Sequence, residues 1–161
     1  MAIILGIDPG SRTTGYGLLE VKSMNPKYLA SGSIVLADSD LSSRLLVLNK
    51  SLSELIEEYT PNQAAIEQVF VGKNANSALK LGHARGVALL VVAQADLSVS
   101  EYSAKVVKKA VTGTGSADKR QVQTMVSRIL NLSNIPPPDA SDALAVALCH
   151  SYSNNKIQLL G

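Results

Sequence analysis

Residues 2–36 read AIILGIDPGSRTTGYGLLEVKSMNPKYLASGSIVL, and their punctuation decides the fold. Ala2 to Asp8 is a short apolar run that ends in a carboxylate and then Pro9-Gly10, the pattern of a buried strand entering a tight turn. Gly15 to Val21 and Lys27 to Leu36 read as two further strands, separated by a turn at Asn25-Pro26. Three consecutive strands predict an antiparallel meander.

Past the meander the period changes. Between Asp40 and Tyr59 the apolar residues Leu41, Leu45, Leu48, Leu52, Leu55 and Ile56 keep a helical spacing with one core-facing stripe, and Thr60-Pro61 stops it. Ala64 to Glu67 is a short buried strand reached by this helical crossover, so it is expected to lie parallel to an earlier strand. Asn74 to Ala95 reads as a second helix, Leu97 to Tyr102 as a fifth strand and Ala104 to Val111 as a short helix. Thr112 to Ser116 reads as a flexible polar loop with Gly at alternate positions. Asp118 to Leu130 and Asp139 to Tyr152 are the last helices, the second entered through Pro136-Pro137-Pro138. The expected organisation is one α/β domain over residues 1–152, with 153–161 a frayed C-terminal tail.

Composition narrows the class. With 161 residues, 46% apolar and 17% charged, the chain suits one folded domain. Aromatic residues are 4%, with no Trp and one Phe, so the core must be aliphatic. No apolar run approaches the ~20 residues that span a bilayer, and the single Cys149 excludes an internal disulfide or a multi-cysteine zinc site; a cytoplasmic protein is expected. The net charge of +2 conceals an uneven distribution. Residues 1–72 hold five Lys or Arg against eight Asp or Glu, whereas residues 73–128 hold nine against three. The basic middle third suits a polyanion if folding gathers it on one side.

Four carboxylates stand out. Asp8 and Glu67 lie at the ends of apolar strands, where an uncompensated charge is costly to bury. Asp139 and Asp142, three residues apart at a helix start, project within ~60° of each other. If the last helix packs beside the first and fourth strands, all four converge. Such an oxygen set suits Mg²⁺, and two metals ~3.5–4 Å apart would activate water and stabilise the leaving oxygen of a phosphodiester. Each acid also has a plainer reading: Asp8 as a turn former, Asp139 as an N-cap, Asp142 as an ordinary first-turn acid, Glu67 as a buried partner of a Lys.

IDPGSRTTGYG at 7–17, AIEQVFVGKNANSALKLGHARG at 65–86, VKKAVTGTGSADKRQVQ at 107–123 and DASDALAVALCH at 139–150 together closely resemble the RuvC family of bacterial crossover junction endodeoxyribonucleases. The resemblance implies the RNase H-like fold, a five-stranded mixed sheet with helices on both faces. It also implies a homodimer that resolves Holliday junctions by paired nicks, using two Mg²⁺ per site for which Mn²⁺ substitutes. The family's four catalytic acids, which are its metal ligands, fall on Asp8, Glu67, Asp139 and Asp142, and its two functional lysines on Lys108 and Lys119. A four-way DNA junction and a branch-migration helicase complex of the RuvA and RuvB type are the implied partners, with no membrane. Two rival readings remain: a nucleotide-binding half of an actin-like ATPase, which would need a second domain, and a non-catalytic junction binder, which should lack at least one of the four acids.

Phe70, three residues after Glu67 and followed by a polar run, is expected to stack on a DNA base, with a core role the alternative. Lys73, Asn74, Arg85, Lys109 and Arg120, with Lys108 and Lys119, are the candidate DNA contacts. Ala78, Gly82 and Gly86 recur every four residues along the second helix, and each mid-helix Gly costs ~1 kcal/mol relative to Ala, so a packing reason is expected. Either a two-fold dimer partner or the chain's own sheet would supply it. His83 reads as a surface helix residue and Cys149 as a small core residue; His150, ~16 Å along the last helix from Asp139, lies too far to ligate a metal there.

Overall fold

The computed structural model describes residues 1–36, 40–69, 71–72 and 74–160, the side chains of 155–160 excepted. Phe70 and Lys73 lie outside the described residues. Five strands, β1 (Ala2–Asp8), β2 (Thr13–Lys22), β3 (Asn25–Val35), β4 (Gln63–Glu67) and β5 (Ser98–Tyr102), form one sheet in the order β3-β2-β1-β4-β5. β1, β2 and β3 pair antiparallel, and β4 lies parallel to both β1 and β5. The meander and the helical crossover to a parallel fourth strand are therefore as the sequence predicts.

The helices are α1 (Leu41–Tyr59), α2 (Ala75–Gln94), α3 (Ala104–Thr112), α4 (Lys119–Ile129) and α5 (Pro138–Leu160). Central β1 is buried on both sides, so its residues before Asp8 are apolar and serve two cores. Leu5 and Ile7 point to the face covered by α1 and α2, where Leu48, Leu52, Ala84, Ala88, Val91 and Val92 meet them. Ile4 points to the opposite face, covered by α3, α4 and α5 through Val107, Val111, Val122, Val126, Leu144 and Leu148. Cys149 is buried in this second core, as a small apolar residue would be.

Local chemistry explains the element ends. Asp40, Asn74, Ser103 and Asp118 cap the first four helices, and Asp118 forms a reciprocal capping box with Gln121 at 2.8 Å each way. Thr60 and Gly113 end α1 and α3 in the left-handed conformation.

Three expectations need correction. The β2–β3 turn is Ser23-Met24, not Asn25-Pro26, because a two-residue hairpin of this hand needs positive φ at both positions (50° and 65° here), which Pro cannot adopt. Asn25 and Pro26 instead open β3, an edge strand that tolerates a missing N–H. The last helix does not stop at Tyr152 but continues to Leu160, so residues expected to fray are helical. The Thr112–Ser116 loop is not a loose polar stretch: Thr112 Oγ1 donates to Lys108 O at 2.8 Å and accepts from Thr114 N–H at 3.3 Å, and the Thr114 and Ser116 hydroxyls are 3.0 Å apart.

Gly82 and Gly86 of α2 face away from the sheet, and a Cβ at either would meet nothing within 4 Å. The chain's own sheet is thus not the reason for these glycines. Ala78 lies half-buried at the margin of the same strip.

Candidate active site

Asp8 and Glu67 end the adjacent parallel strands β1 and β4, whose register pairs Ile7 with Ile66, so the two acids emerge side by side at the carboxyl edge of the sheet. That edge is where parallel strands present ligands. The other two acids arrive on the first turn of α5, which crosses the sheet unusually close. A Cβ at Gly15 would collide with the backbone carbonyl of Asp139, and one at Gly6 with that of Ala143. The two missing side chains let the helix start settle onto β1 and β2, bringing Asp139 and Asp142 within electrostatic reach of Asp8. The first backbone bond of α5, Ser141 N–H to Pro137 O at 2.9 Å, places Asp139 inside the first turn rather than at the cap.

Asp8, Glu67 and Asp142 line one cleft of ≈ 360 Å³ with Lys108 from α3, Lys119 from α4 and the apolar walls Pro9, Val69, Leu81, Val107, Val122 and Ala145. Asp139 stands at its margin, outside the lining. Burial among acids raises the Asp8 carboxyl far above its usual range, to about 9: desolvation contributes most, then the charge of Glu67, a hydrogen bond to Glu67, and the charges of Asp142 and Asp139. Asp142 is also raised, chiefly by burial, with Lys119 opposing the rise. Lys119 Nζ lies 3.7 Å from Asp142 Oδ2 and is otherwise exposed.

The donor set fits a hard divalent cation. Burial and the charge of Glu67 push the Asp8 carboxyl toward its neutral form, while the Lys119 ammonium lies against Asp142. A proton in that position is what a divalent cation displaces when hard oxygen ligands are clustered. Among the described residues, no three His, Cys, Asp or Glu side chains are already drawn up around one cation position, so loading would pull the acids inward.

The remaining candidates divide. Lys109 lies on the other side of α3, in a groove with Cys149, Tyr152 and Ser153. Arg120 lines a separate groove beside the cleft with Thr112, Thr114, Thr124 and Arg128. Arg85 is committed to Glu101 of β5 at 2.5 Å and is mostly covered, so it is not a free surface cation. Asn74 spends its side-chain oxygen capping α2, on the N–H groups of Asn76 and Ser77 at 3.1 and 3.2 Å. His83 is half-buried rather than on the open surface, and its Nδ1 has no hydrogen-bond partner. Sequence reasoning missed the apolar walls and the Arg44 guanidinium that grips Ser11 O in the β1–β2 turn. Helical spacing marks Val107 and Val122 as inward-facing, but nothing in the sequence pairs Arg44 with Ser11.

A five-stranded mixed sheet with acids at the ends of its first and fourth strands and on its last helix defines an RNase H-like protein with a nuclease-type carboxylate cleft. The family described as crossover junction endodeoxyribonuclease RuvC matches residues 4–150. A crossover junction endodeoxyribonuclease RuvC of Photobacterium profundum is 52% identical over 157 residues, spanning 98% of this chain and 91% of the relative. One of Marinobacter nauticus is 54% identical over 157 residues, spanning 98% and 90%. Among solved structures, RuvC of T. thermophilus in complex with a Holliday junction substrate superposes with a TM-score of 0.91 at 30% identity, covering 97% of this chain and 96% of that one. The chain belongs to the RuvC family of crossover junction endodeoxyribonucleases.

Proposed function

We propose that this protein resolves four-way DNA junctions as a symmetric dimer, each protomer hydrolysing one phosphodiester with Mg²⁺ held by Asp8, Glu67, Asp139 and Asp142. The observation that carries the reading is the cleft itself: three of these acids and two lysines share it, at the carboxyl edge of the sheet, in a chain of this family.

Bound divalent cations supply a water of lowered pKa and neutralise charge at the leaving oxygen. The chain does the rest. Asp8 and Glu67 hold a fixed spacing because their strands are hydrogen-bonded neighbours, and α5 sets the other two acids against them. Lys119, long and exposed, is placed to leave Asp142 for the phosphate, where a positive charge steadies the developing oxyanion. Lys108 enters from α3 on the same side, and Val107 and Val111 of α3 and Val122 and Val126 of α4 pack in one core with α5, which holds the two helices in fixed relation. The apolar walls lower the local dielectric on one side of the cleft, which strengthens each of these charges. Lys119, Arg120 and Arg128 along α4 continue the positive surface for backbone phosphates, so affinity should fall with salt at a log-log slope of about −0.9 per phosphate neutralised.

The dimer follows from α2. Leu79 is 61% and Leu90 54% exposed, and they flank Gly82 and Gly86 on one face left open among the described residues. A second copy of the same strip buries them isologously and presents two clefts to a substrate of near two-fold symmetry. The test is cleavage of a synthetic four-way junction with and without Mg²⁺. Paired nicks that require Mg²⁺ are expected from the wild type, and uncoupled single nicks from Gly86→Leu. A wild-type protein that sediments as a monomer at tens of micromolar and still cuts in pairs would overturn the dimer.

A further inference from the structure

Three turns beyond the acids, α5 carries His150, buried and untouched by the chemistry of the cleft. Its ring joins three elements. Nδ1 lies 2.9 Å from the Tyr102 hydroxyl, and the two rings meet edge to face at 5.9 Å. Nε2 lies 3.1 Å from Gln63 Oε1, which also accepts from Asn154 Nδ2 at 3.0 Å. Burial keeps the imidazole neutral, so it has one N–H to give. With Nε2 donating to Gln63 Oε1, Nδ1 accepts from the Tyr102 hydroxyl; Asn154 Nδ2, also 3.1 Å from Nε2, donates there only in the other tautomer, and in either one both ring nitrogens are spent on this network.

The places of these partners matter more than their number. Gln63 is the first residue of β4 and Glu67 the last. Tyr102 ends β5 in register with Glu67, and its carbonyl accepts from Gln68 N–H at 2.8 Å. His150 therefore grips β4 at both ends: directly at Gln63, and through Tyr102 at the residue that follows Glu67. It does so from the same helix that carries Asp139 and Asp142. Beneath that helix the sheet is smooth, with Gly6 lying under Ala143 and Ala147. Apolar contact on such a surface resists separation but not sliding, whereas hydrogen bonds are directional.

We propose that His150, with Tyr102 and Gln63, is a positioning residue for the carboxylate site, locking the helix that supplies Asp139 and Asp142 in register with the strand that supplies Glu67. The role rests on the cation site proposed above. Its distinguishing consequence is on cation affinity before any DNA is bound, because acids out of register coordinate one ion poorly.

The experiment titrates Mn²⁺ into DNA-free wild type, Tyr102→Phe and His150→Gln and follows free Mn²⁺ by electron paramagnetic resonance, with thermal melts of each protein. Tyr102→Phe deletes one hydroxyl and little volume, so it keeps the test open if His150→Gln misfolds. None of the three side chains bonds an acid, so the effect passes through the register of the helix on the strand, and a loss of about fivefold in Mn²⁺ affinity is expected for Tyr102→Phe, with junction binding in cation-free buffer unchanged. A lowered melting temperature with wild-type Mn²⁺ affinity would show that the network is only structural and would overturn the proposal. Wild type that binds no Mn²⁺ would instead sink the cation site, and the positioning role with it.

Discussion

The two ends of α5 carry polar clusters of opposite character. At its start, Asp139 and Asp142 join Asp8 and Glu67 in a group that repels itself and raises the proton affinity of Asp8 and Asp142, with Lys119 the cation paired to it among the described residues. Three turns on, His150 and Asn154 join Tyr102 and Gln63 in an uncharged group knit by hydrogen bonds. One helix thus holds a frustrated cluster and a satisfied one. Natural folds keep polar groups consistent with their surroundings except where function needs the conflict, and the contrast locates that exception at the cleft.

Removing one acid should break the contrast most completely. Asp8→Asn is expected to lower junction cleavage about a thousandfold or more, on the order of 4 kcal/mol of transition-state stabilisation, without weakening junction binding. The same change should raise the melting temperature in cation-free buffer, by about 2–4 °C for each kcal/mol of repulsion relieved. Near-normal cleavage, or a protein made less stable, would show that Asp8 is a structural acid.

Gly15→Ala attacks the same end through the backbone. The new methyl meets the Asp139 carbonyl, so the first turn of α5 must lift and cleavage should fall on the order of a hundredfold, a response typical of an ångström-scale misplacement. The His150 end should hold, which amide hydrogen exchange would show as protection lost near Asp139 and retained near His150.

Lys119→Ala removes the counter-charge. A loss of about 10- to 100-fold in single-turnover rate is expected, with at most a few-fold change in junction affinity. An effect on affinity alone would reduce Lys119 to a phosphate contact.

The smallest effect is a pH slope. Asp8 has its proton affinity raised in the folded state, from 3.8 to about 9, so the stability tied to its neutral form is complete below about pH 4 and is lost as pH climbs toward 9. In cation-free buffer the melting temperature should therefore decline steadily between pH 5 and pH 8. Saturating Mg²⁺, which binds the ionised cluster, should flatten that slope. A slope unchanged by Mg²⁺ would place its origin elsewhere in the chain.

The satisfied cluster was the harder of the two to read in sequence. The acids announce themselves, since a carboxylate closing an apolar strand is conspicuous and the 139–142 spacing fixes a shared helix face. The distance of His150 from the cleft follows from helix rise, but its partners lie 48 and 87 residues away and no local pattern joins them. Arg85 and Asn74 show the opposite failure. Each looked free on a basic or polar stretch, and each is engaged, by Glu101 across the fold and by the start of α2. Strand and helix spans were legible because apolar period and caps coincide. The Ser23-Met24 hairpin was not, because neither residue advertises positive φ as Asn-Gly would.

The core beneath α3 and α4 makes the two lysines the jaws of a caliper. Lys108 follows Val107 on α3 and Lys119 opens α4, and the valines that seat the two helices against α5 set the gap. The opening of the cleft is thereby gauged by uncharged core residues, and trimming Val107 or Val122 would regauge it while leaving each lysine in its own helix.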